Sequence, residues 1–505
     1  MPTKFHESAC GIFPKGYWCE KIEKMCTFVK HLIKIFFPFG MNFNQNKIVG
    51  NKDWDGLSKP RLYIAMAALL CGLFFSVMDG TVANVALPIL SEKLSVSPSS
   101  SIWIVNAFQL VIVMLLLPFA ALGELIGFRR IYLWGLLLFT FGSLFCALSP
   151  SFLWLVGARV VQGVGAAMVM SVNTSLVKLI YPKRHLGKGI GLNATVVALG
   201  LVVGPAFTGA ILAVASWQWL FIVNLPFGLV AWALARRSLP DNPTQVVGRK
   251  FDLKEALLNA LSFGLLIGSL EAYSHKAPLE IVVVGIVLFV LVTWSYVRNQ
   301  SRKPFPMLPI DLIRKPIFSL SILTSIVSFA SQMLALIAMP FILSHNYHYE
   351  AVEIGLLMSS YPIVILFVAP LSGFLINRID PEILGCFGLL MLSIGSFLLA
   401  STPEGSDAWQ IIARFAICGI GFGFFQSPNN HLIISSAPVH RAGSASGMMA
   451  SARLVGQTSG AACVALSFHL FGDRGPFWSI YFAAILSLLG MIATLVRYQQ
   501  SRQQA

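Results

Sequence analysis

Long apolar runs, broken by short polar and charged segments, organise most of this chain. A helix that crosses a bilayer takes about 20 mostly apolar residues. Fourteen runs are of that kind: Leu62–Pro88, Ile102–Leu122, Ile131–Leu148, Phe152–Val177, Gly189–Ala215, Trp219–Ala235, Ala256–Tyr273, Ile281–Val297, Phe318–Leu343, Ile354–Ile376, Leu384–Ala400, Trp409–Ile434, Gly443–Leu470 and Phe477–Val496. Ser149-Pro150, Tyr181-Pro182, Pro240-Asp241-Asn242-Pro243 and Lys303-Pro304 fall between runs, where turn residues belong. The pattern predicts an all-α membrane protein with fourteen spanning helices.

The stretch before Pro60 follows another rule. Trp18, Ile22, Met25, Val29, Leu32, Ile33 and Phe36 recur at helical spacing, with Lys21, Lys24, His31 and Lys34 on the remaining surface. That predicts a basic amphipathic helix on the inner leaflet. The competing reading is an upstream extension without a role, the working start being Met41.

Charge orients the runs. With the N-terminus in the cytoplasm, the inner segments hold Arg129, Arg130, Lys178, Lys183, Arg184, Lys188, Arg236, Arg237, Arg249, Lys250 and Lys254. Further on they hold Arg298, Arg302, Lys303, Arg314, Lys315, Arg378, Arg441, Arg497 and Arg502. The outer loops hold only Lys93, Lys276 and Arg474. Cationic loops stay inside, so both termini are expected in the cytoplasm of a cell bounded by this inner membrane, and the helix count is expected to be even. An internal repeat supports the count: Gly187, Gly191, Gly200 and Gly204 recur as Gly443, Gly447, Gly456 and Gly460, each 256 residues on. The fifth and thirteenth runs then occupy equivalent places in two six-helix halves, and the seventh and eighth runs are an extra central pair.

Composition narrows the classes. Only 11% of the 505 residues are charged and 56% are hydrophobic, against about 25% charged in soluble domains; the mean hydropathy is +0.76. The net charge of +15 is spread between apolar runs, which speaks for membrane topology and against nucleic acid. Eight Cys are scattered with no C-x-x-C pair, so neither a disulfide framework nor a metal site is read. A Gly-x4-Gly-Lys-Ser/Thr loop, a His-Glu-x-x-His pair and a nucleophile elbow are all missing, which argues against ATP-driven transport within this chain and against a membrane enzyme.

Five motifs carry candidate chemistry. Met78-Asp79-Gly80-Thr81-Val82-Ala83-Asn84-Val85-Ala86-Leu87-Pro88 closes the first run. A charged, unpaired Asp in an apolar run is costly, and removal from water disfavours a carboxylate's charged form, so Asp79 is a candidate proton carrier. The fourth run holds Leu155-x3-Arg159-x2-Gln162-Gly163-x-Gly165, with Arg159 at a depth matching Asp79. The fifth holds Gly200-x3-Gly204-Pro205-x3-Gly209, where Pro bends the helix and Gly permits close packing. The turn Leu122-Gly123-Glu124-Leu125-Ile126-Gly127-Phe128-Arg129-Arg130 joins the second and third runs, and Gly373 to Arg378 is its weaker counterpart, with Asn377 in place of the acid. Ser216-Trp217-Gln218-Trp219 through Asn224-Leu225-Pro226-Phe227-Gly228 opens the sixth run and is read as structural, an interfacial Trp belt.

Taken in order, these motifs resemble those of the fourteen-spanner drug:proton antiporters of the major facilitator superfamily, often called the EmrB/QacA group, over roughly Arg61 to Val496. Departures are Thr208 for a second Gly in the fifth-run motif, and Ala120, Glu124 and Leu125 in the inner turn. The resemblance implies a major facilitator fold: an N-terminal tail over 1–60, a six-helix bundle over 61–237, a linker with two extra helices over 238–316, a second bundle over 317–497 and a short tail over 498–505. It implies proton coupling through Asp79 and Arg159, gating by Glu124, Arg129, Arg130 and Arg378, and an antiporter helix built on Gly200, Gly204, Pro205 and Gly209. Phe74, Phe75 and Phe108, with the intramembrane polar groups Glu271, Gln332 and Arg453, are the candidate substrate contacts. The implied activity is export of lipophilic or cationic small molecules against protons, powered by the proton motive force and without a cofactor. A proton-linked transporter of a metabolite, in either direction, stays open beside it, as does, more remotely, a membrane sensor or scaffold. The expected partners are the small molecule, protons and the bilayer, with no nucleic acid; on accessory subunits the sequence is silent.

Overall fold

In the computed structural model the described residues are 56–182, 186–241, 251–274, 278–300, 310–376, 378–403, 405–437 and 442–504. The proposed amphipathic tail helix lies outside them. So do Arg184, Asn377, Arg441 and the side chain of Glu271.

Fourteen helices of 15 residues or more follow one another, and no strand occurs among the described residues. They are α1 (Lys59–Lys93), α2 (Pro98–Ile126), α3 (Phe128–Ala147), α4 (Phe152–Ile180), α5 (Leu186–Val214), α6 (Trp219–Ser238) and α7 (Leu253–Ser274). Then come α8 (Leu279–Gln300), α9 (Pro316–His345), α10 (Ala351–Leu375), α11 (Pro381–Ala400), α12 (Ala408–Ser435), α13 (Ala442–Phe471) and α14 (Gly475–Gln504). Each overlaps one of the predicted runs. A chain surrounded by hydrocarbon must satisfy its backbone within each segment, which is what a helix does. Twelve apolar stretches among the described residues are long enough to span a bilayer; one of them, Gly447–Gln500, takes in both α13 and α14, and α7 falls outside the set.

Local signals end the helices. Ser151 accepts a hydrogen bond from the backbone of Trp154 (3.4 Å) at the start of α4, and Glu350 and Glu353 form a capping box at the start of α10. Gly127, at φ 110°, makes the turn from α2 into α3, a conformation that a side chain would resist.

Packing repeats itself along the chain. In the first half α3 lies on α4, α2 on α4, α1 on α5 and on α6, and α3 on α6. In the second half α11 lies on α12, α10 on α12, α9 on α13 and on α14, and α11 on α14. Adding eight to every helix of the first set yields the second. Two crossed contacts, α5 with α10 and α2 with α13, join the halves, and α1 touches α9 between them. The Gly repeat acts at matching seams: Gly200 and Gly204 lie against Phe74, Val77, Met78 and Thr81 of α1, while Gly456 and Gly460 lie against Ile326, Phe329, Ala330 and Met333 of α9. The α7–α8 pair docks through α7 on α2 and α13. Its other face is apolar and open, with Val283, Ile286, Val290, Leu291 and Trp294 exposed, as suits a surface solvated by lipid.

One charge in the topology argument is misplaced. Arg497 is not in an inner loop. It is fully buried in the second half, where Nη1 donates to Ser321 Oγ (2.7 Å) and Asn429 Oδ1 (2.8 Å). Gly385, beside Thr494 and the Arg497 guanidinium, sits on α11 as Tyr132 does on α3. In the first half Tyr132 donates to the carbonyls of Ala68 (3.0 Å) and Leu69 (3.2 Å).

Candidate functional site

Four helices of the first half converge on Asp79. Arg159 of α4 donates from Nη1 to Asp79 Oδ2, forming an ion pair, and to Gln162 Oε1 (2.7 Å). Its Nε donates to the carbonyl of Ile104 on α2 (2.9 Å). The second carboxylate oxygen, Oδ1, accepts from Gln162 Nε2 (3.0 Å) and from Asn224 Nδ2 of α6 (2.8 Å). Gln162 Nε2 also reaches Ser143 Oγ of α3 (2.8 Å). Asp79, Arg159, Gln162, Asn224 and Ser143 are all at most 1% exposed. The sequence reading paired Asp79 with Arg159 from depth alone, and they meet. It left out Gln162, although the residue stood in the same motif, and it assigned Asn224 a structural place; that reading is corrected here, since Asn224 is a direct donor to the acid. The signal for Asn224 was an amide inside an apolar run, two residues before a Pro.

Phe108 was expected to face a substrate. It is instead 2% exposed and lies beneath the Arg159 guanidinium, 4.2 Å from ring centroid to Cζ, with Phe221 at 5.7 Å on the same group. A cation over an aromatic face gains electrostatic attraction that grows when water is excluded, so Phe108 helps hold the ion pair. Phe75 is buried and stacks on Phe227 (4.6 Å), with Phe74 edge-on to it (5.2 Å). Together with Cys71, Met78, Val203 and Phe207 these rings line an apolar groove of about 450 Å³ between α1, α5 and α6. Gln332 is 6% exposed and donates to the Tyr361 hydroxyl (3.0 Å).

The antiporter-like helix α5 connects this cluster with the second half. A Cβ on Gly204 would stand 1.9 Å from Thr81 Oγ1, two residues from Asp79. Thr208, the departure from the family pattern, is fully buried and donates to the Gly204 carbonyl of its own helix (2.9 Å) and to that of Val82 on α1 (3.3 Å). One turn on, Gly209 lies against Ala351 and Val352 of α10, and Gly355 lies against the Pro205 carbonyl, where an added Cβ would be 2.5 Å away. Backbone therefore meets backbone between the halves at the end of the bundle where α1 finishes.

At the opposite end the expected latch has another acid. Arg129 takes Asp241, beyond α6, through both carboxylate oxygens (3.0 Å each), and donates to the Arg236 carbonyl (2.6 Å). Asp241 had been read only as turn punctuation. Glu124 is half-buried and has interactions of its own. Arg130 is exposed. Arg378 is also exposed and stacks over Phe374 (5.3 Å), and it has no charge partner among the described residues. No cluster of His, Cys, Asp and Glu fit to hold a metal occurs among the described residues.

A buried ion pair set among amide donors inside one of two repeated six-helix halves, which touch each other at glycine seams, is the architecture of a membrane transporter. The chain belongs to the major facilitator superfamily, whose family model matches residues 69–461 and again 320–504. It is 47% identical to the transporter YebQ of Escherichia coli (strain K12), itself uncharacterized, over 89% of this chain and 99% of that one. It is 30% identical to the multidrug resistance protein Stp of Mycobacterium tuberculosis (strain ATCC 25618 / H37Rv), over 79% of this chain and 74% of that one. Its fold is shared with a solved POT family transporter at a TM-score of 0.65 and 16% identity, covering 87% of this chain and 96% of that one.

Proposed function

We propose that this transporter is a fourteen-helix, proton-coupled antiporter that exports lipophilic organic compounds across the cytoplasmic membrane, with both termini inside. The observation that carries the reading is the Asp79–Arg159 pair, the one fully buried ion pair among those found between described residues. Three donors from two other helices address a single carboxylate. While Asp79 is charged, it ties α1 to α4 and α6. A proton on Asp79 cancels the attraction and frees α1, and because Thr81 touches Gly204, movement of α1 reaches α5 and its seam with α10. Proton binding and opening of that seam are then linked, and linkage is reciprocal. The multidrug resistance relative supports a drug-like cargo, and the apolar groove beside Met78 is chemically suited to one. The domains proposed are the two bundles over 61–237 and 317–497, with the α7–α8 linker between them.

The test is transport by the purified chain in proteoliposomes, across a panel of lipophilic dyes, with an imposed pH gradient. Uphill movement that an uncoupler collapses and that Asp79→Asn abolishes is the expected result. Uphill movement that survives both treatments would refute the proton-coupled reading.

A further inference from the structure

The position of Arg453 bears on the charge of the cargo. On α13, Gly456 and Gly460 face α9, while Gly447 faces Leu117 of α2 and Ala462 packs with Leu110 of α2 and Ile267 of α7. At 100° per residue, Arg453 and Gln457 fall in the sector between the α9 side and the α2 side. Val464, on the same stripe, is fully buried in the core cluster that spans the two halves. Arg453 therefore looks along the seam between the two halves, more than two turns from either end of its helix. On α2, Gln109 lies in the corresponding sector, between the side that meets Gly163 of α4 and the side that meets α7.

Neither group is satisfied. Arg453 makes no hydrogen bond or ion pair among the described residues, and its Nε is shut from solvent without a partner. Gln109 is 5% exposed and its Oε1 is likewise unpartnered. A cation inside the membrane normally pairs with an acid or lines a wet cavity. No ion pair reaches it among the described residues: α4, α5, α9, α12 and α13 contain no Asp or Glu at all, α1 has Asp79 and, at its end, Glu92, and on α7, which packs against α13, Glu255 accepts from Gln300 of α8 (2.8 Å) while the side chain of Glu271 lies outside the described residues. Asp79 is already held by Arg159, Gln162 and Asn224. With that pair neutral overall, Arg453 carries a positive charge that no described side chain pairs.

We propose that the cargo is an anion, a lipophilic carboxylate or similar oxyanion, whose charged end is bound by Arg453. This rests on the transport reading and reverses the cationic cargo expected from the family resemblance. A carboxylate supplies the charge-assisted hydrogen bonds that the guanidinium lacks. A cationic cargo would instead meet like charge in a medium of low dielectric.

Two probes with one scaffold test it: 4-(1-pyrenyl)butanoate and its butyl-trimethylammonium analogue, titrated against the full chain in nanodiscs with no gradient and followed by fluorescence anisotropy. The intact chain should bind the butanoate at least about tenfold more tightly than the ammonium. Arg453→Gln should remove that preference, losing butanoate affinity about tenfold without weakening the ammonium, and Arg453→Lys should keep most of it. If Arg453→Gln does not fold, the preference of the intact chain and its retention in Arg453→Lys decide the matter. Ammonium binding equal to or tighter than butanoate binding, no butanoate binding, or an equal loss of both probes in Arg453→Gln would overturn the proposal. Because no gradient is present, anion-selective binding without uphill transport in the proteoliposome assay would sink the antiporter reading alone.

Discussion

Replacing Asp79 by Asn separates a structural ion pair from a coupling one. Oδ2 accepts from Arg159 and Oδ1 accepts from Gln162 and Asn224, so every group facing the carboxylate is a donor. An amide nitrogen placed at either oxygen position meets a donor, and Arg159 keeps its charge with only Gln162 Oε1 and the Ile104 carbonyl as acceptors. Removing one partner of a buried pair costs about 3–5 kcal/mol, and the donor-only surroundings put Asp79→Asn at the upper end of that range. Adding Arg159→Met removes the orphaned cation, and the double variant should recover to within about 2 kcal/mol of the parent. Unfolding in mixed micelles measures the stabilities; dye efflux, with and without an uncoupler, in a host lacking its own exporters measures function at equal membrane abundance. The stability should return in the double variant while uncoupler-sensitive efflux stays absent in both. If the double variant also pumps, the pair only holds the bundle together and the coupling group is elsewhere.

Three further outcomes follow from other parts of the molecule. Gly355→Val sets a side chain where even a Cβ stands 2.5 Å from the Pro205 carbonyl. It should part the α5–α10 seam, so that a cysteine at position 352 reacts with an impermeant maleimide about fivefold faster or more; an unchanged rate would mean that the seam yields elsewhere. Asp241→Ala removes the carboxylate from Arg129, but that acid is 78% exposed. Water screens the pair, stability should change by less than about 1 kcal/mol, and turnover should stay near the parental rate; a large loss would make it a gate. A reporter active only outside the cytoplasm should be silent when fused after Arg237, Arg302 or Gln504 and active after Ser274 or Asp407, whereas activity after Arg302 with silence after Ser274 would show that α7 and α8 do not both cross.

What the sequence determined by itself was the set of helices and the candidate acid. Apolar runs of membrane-spanning length leave the backbone no alternative to a helix, so α1 to α14 could be located from composition along the chain. An Asp and an Arg inside such runs are too costly to lie unpaired in lipid, which made Asp79 and Arg159 visible as partners 80 residues apart. Rotation about each helix axis was not legible, because nearly every face of these helices is apolar and the stripe that marks a core-facing side in a soluble helix is missing. Rotation is set by side chains meeting across seams. It is why Asn224 could turn from an interfacial motif to the carboxylate, why Phe108 went under Arg159, and why Arg497, counted as a loop charge, is buried against Asn429. The same limit kept Asp241 hidden as the partner of Arg129, since an exposed acid in a turn costs nothing to leave alone. Only the packing of one half against the other decided that Arg453 lies toward the seam with no charge partner among the described residues, because pairing depends on which side chains the neighbouring helices bring close.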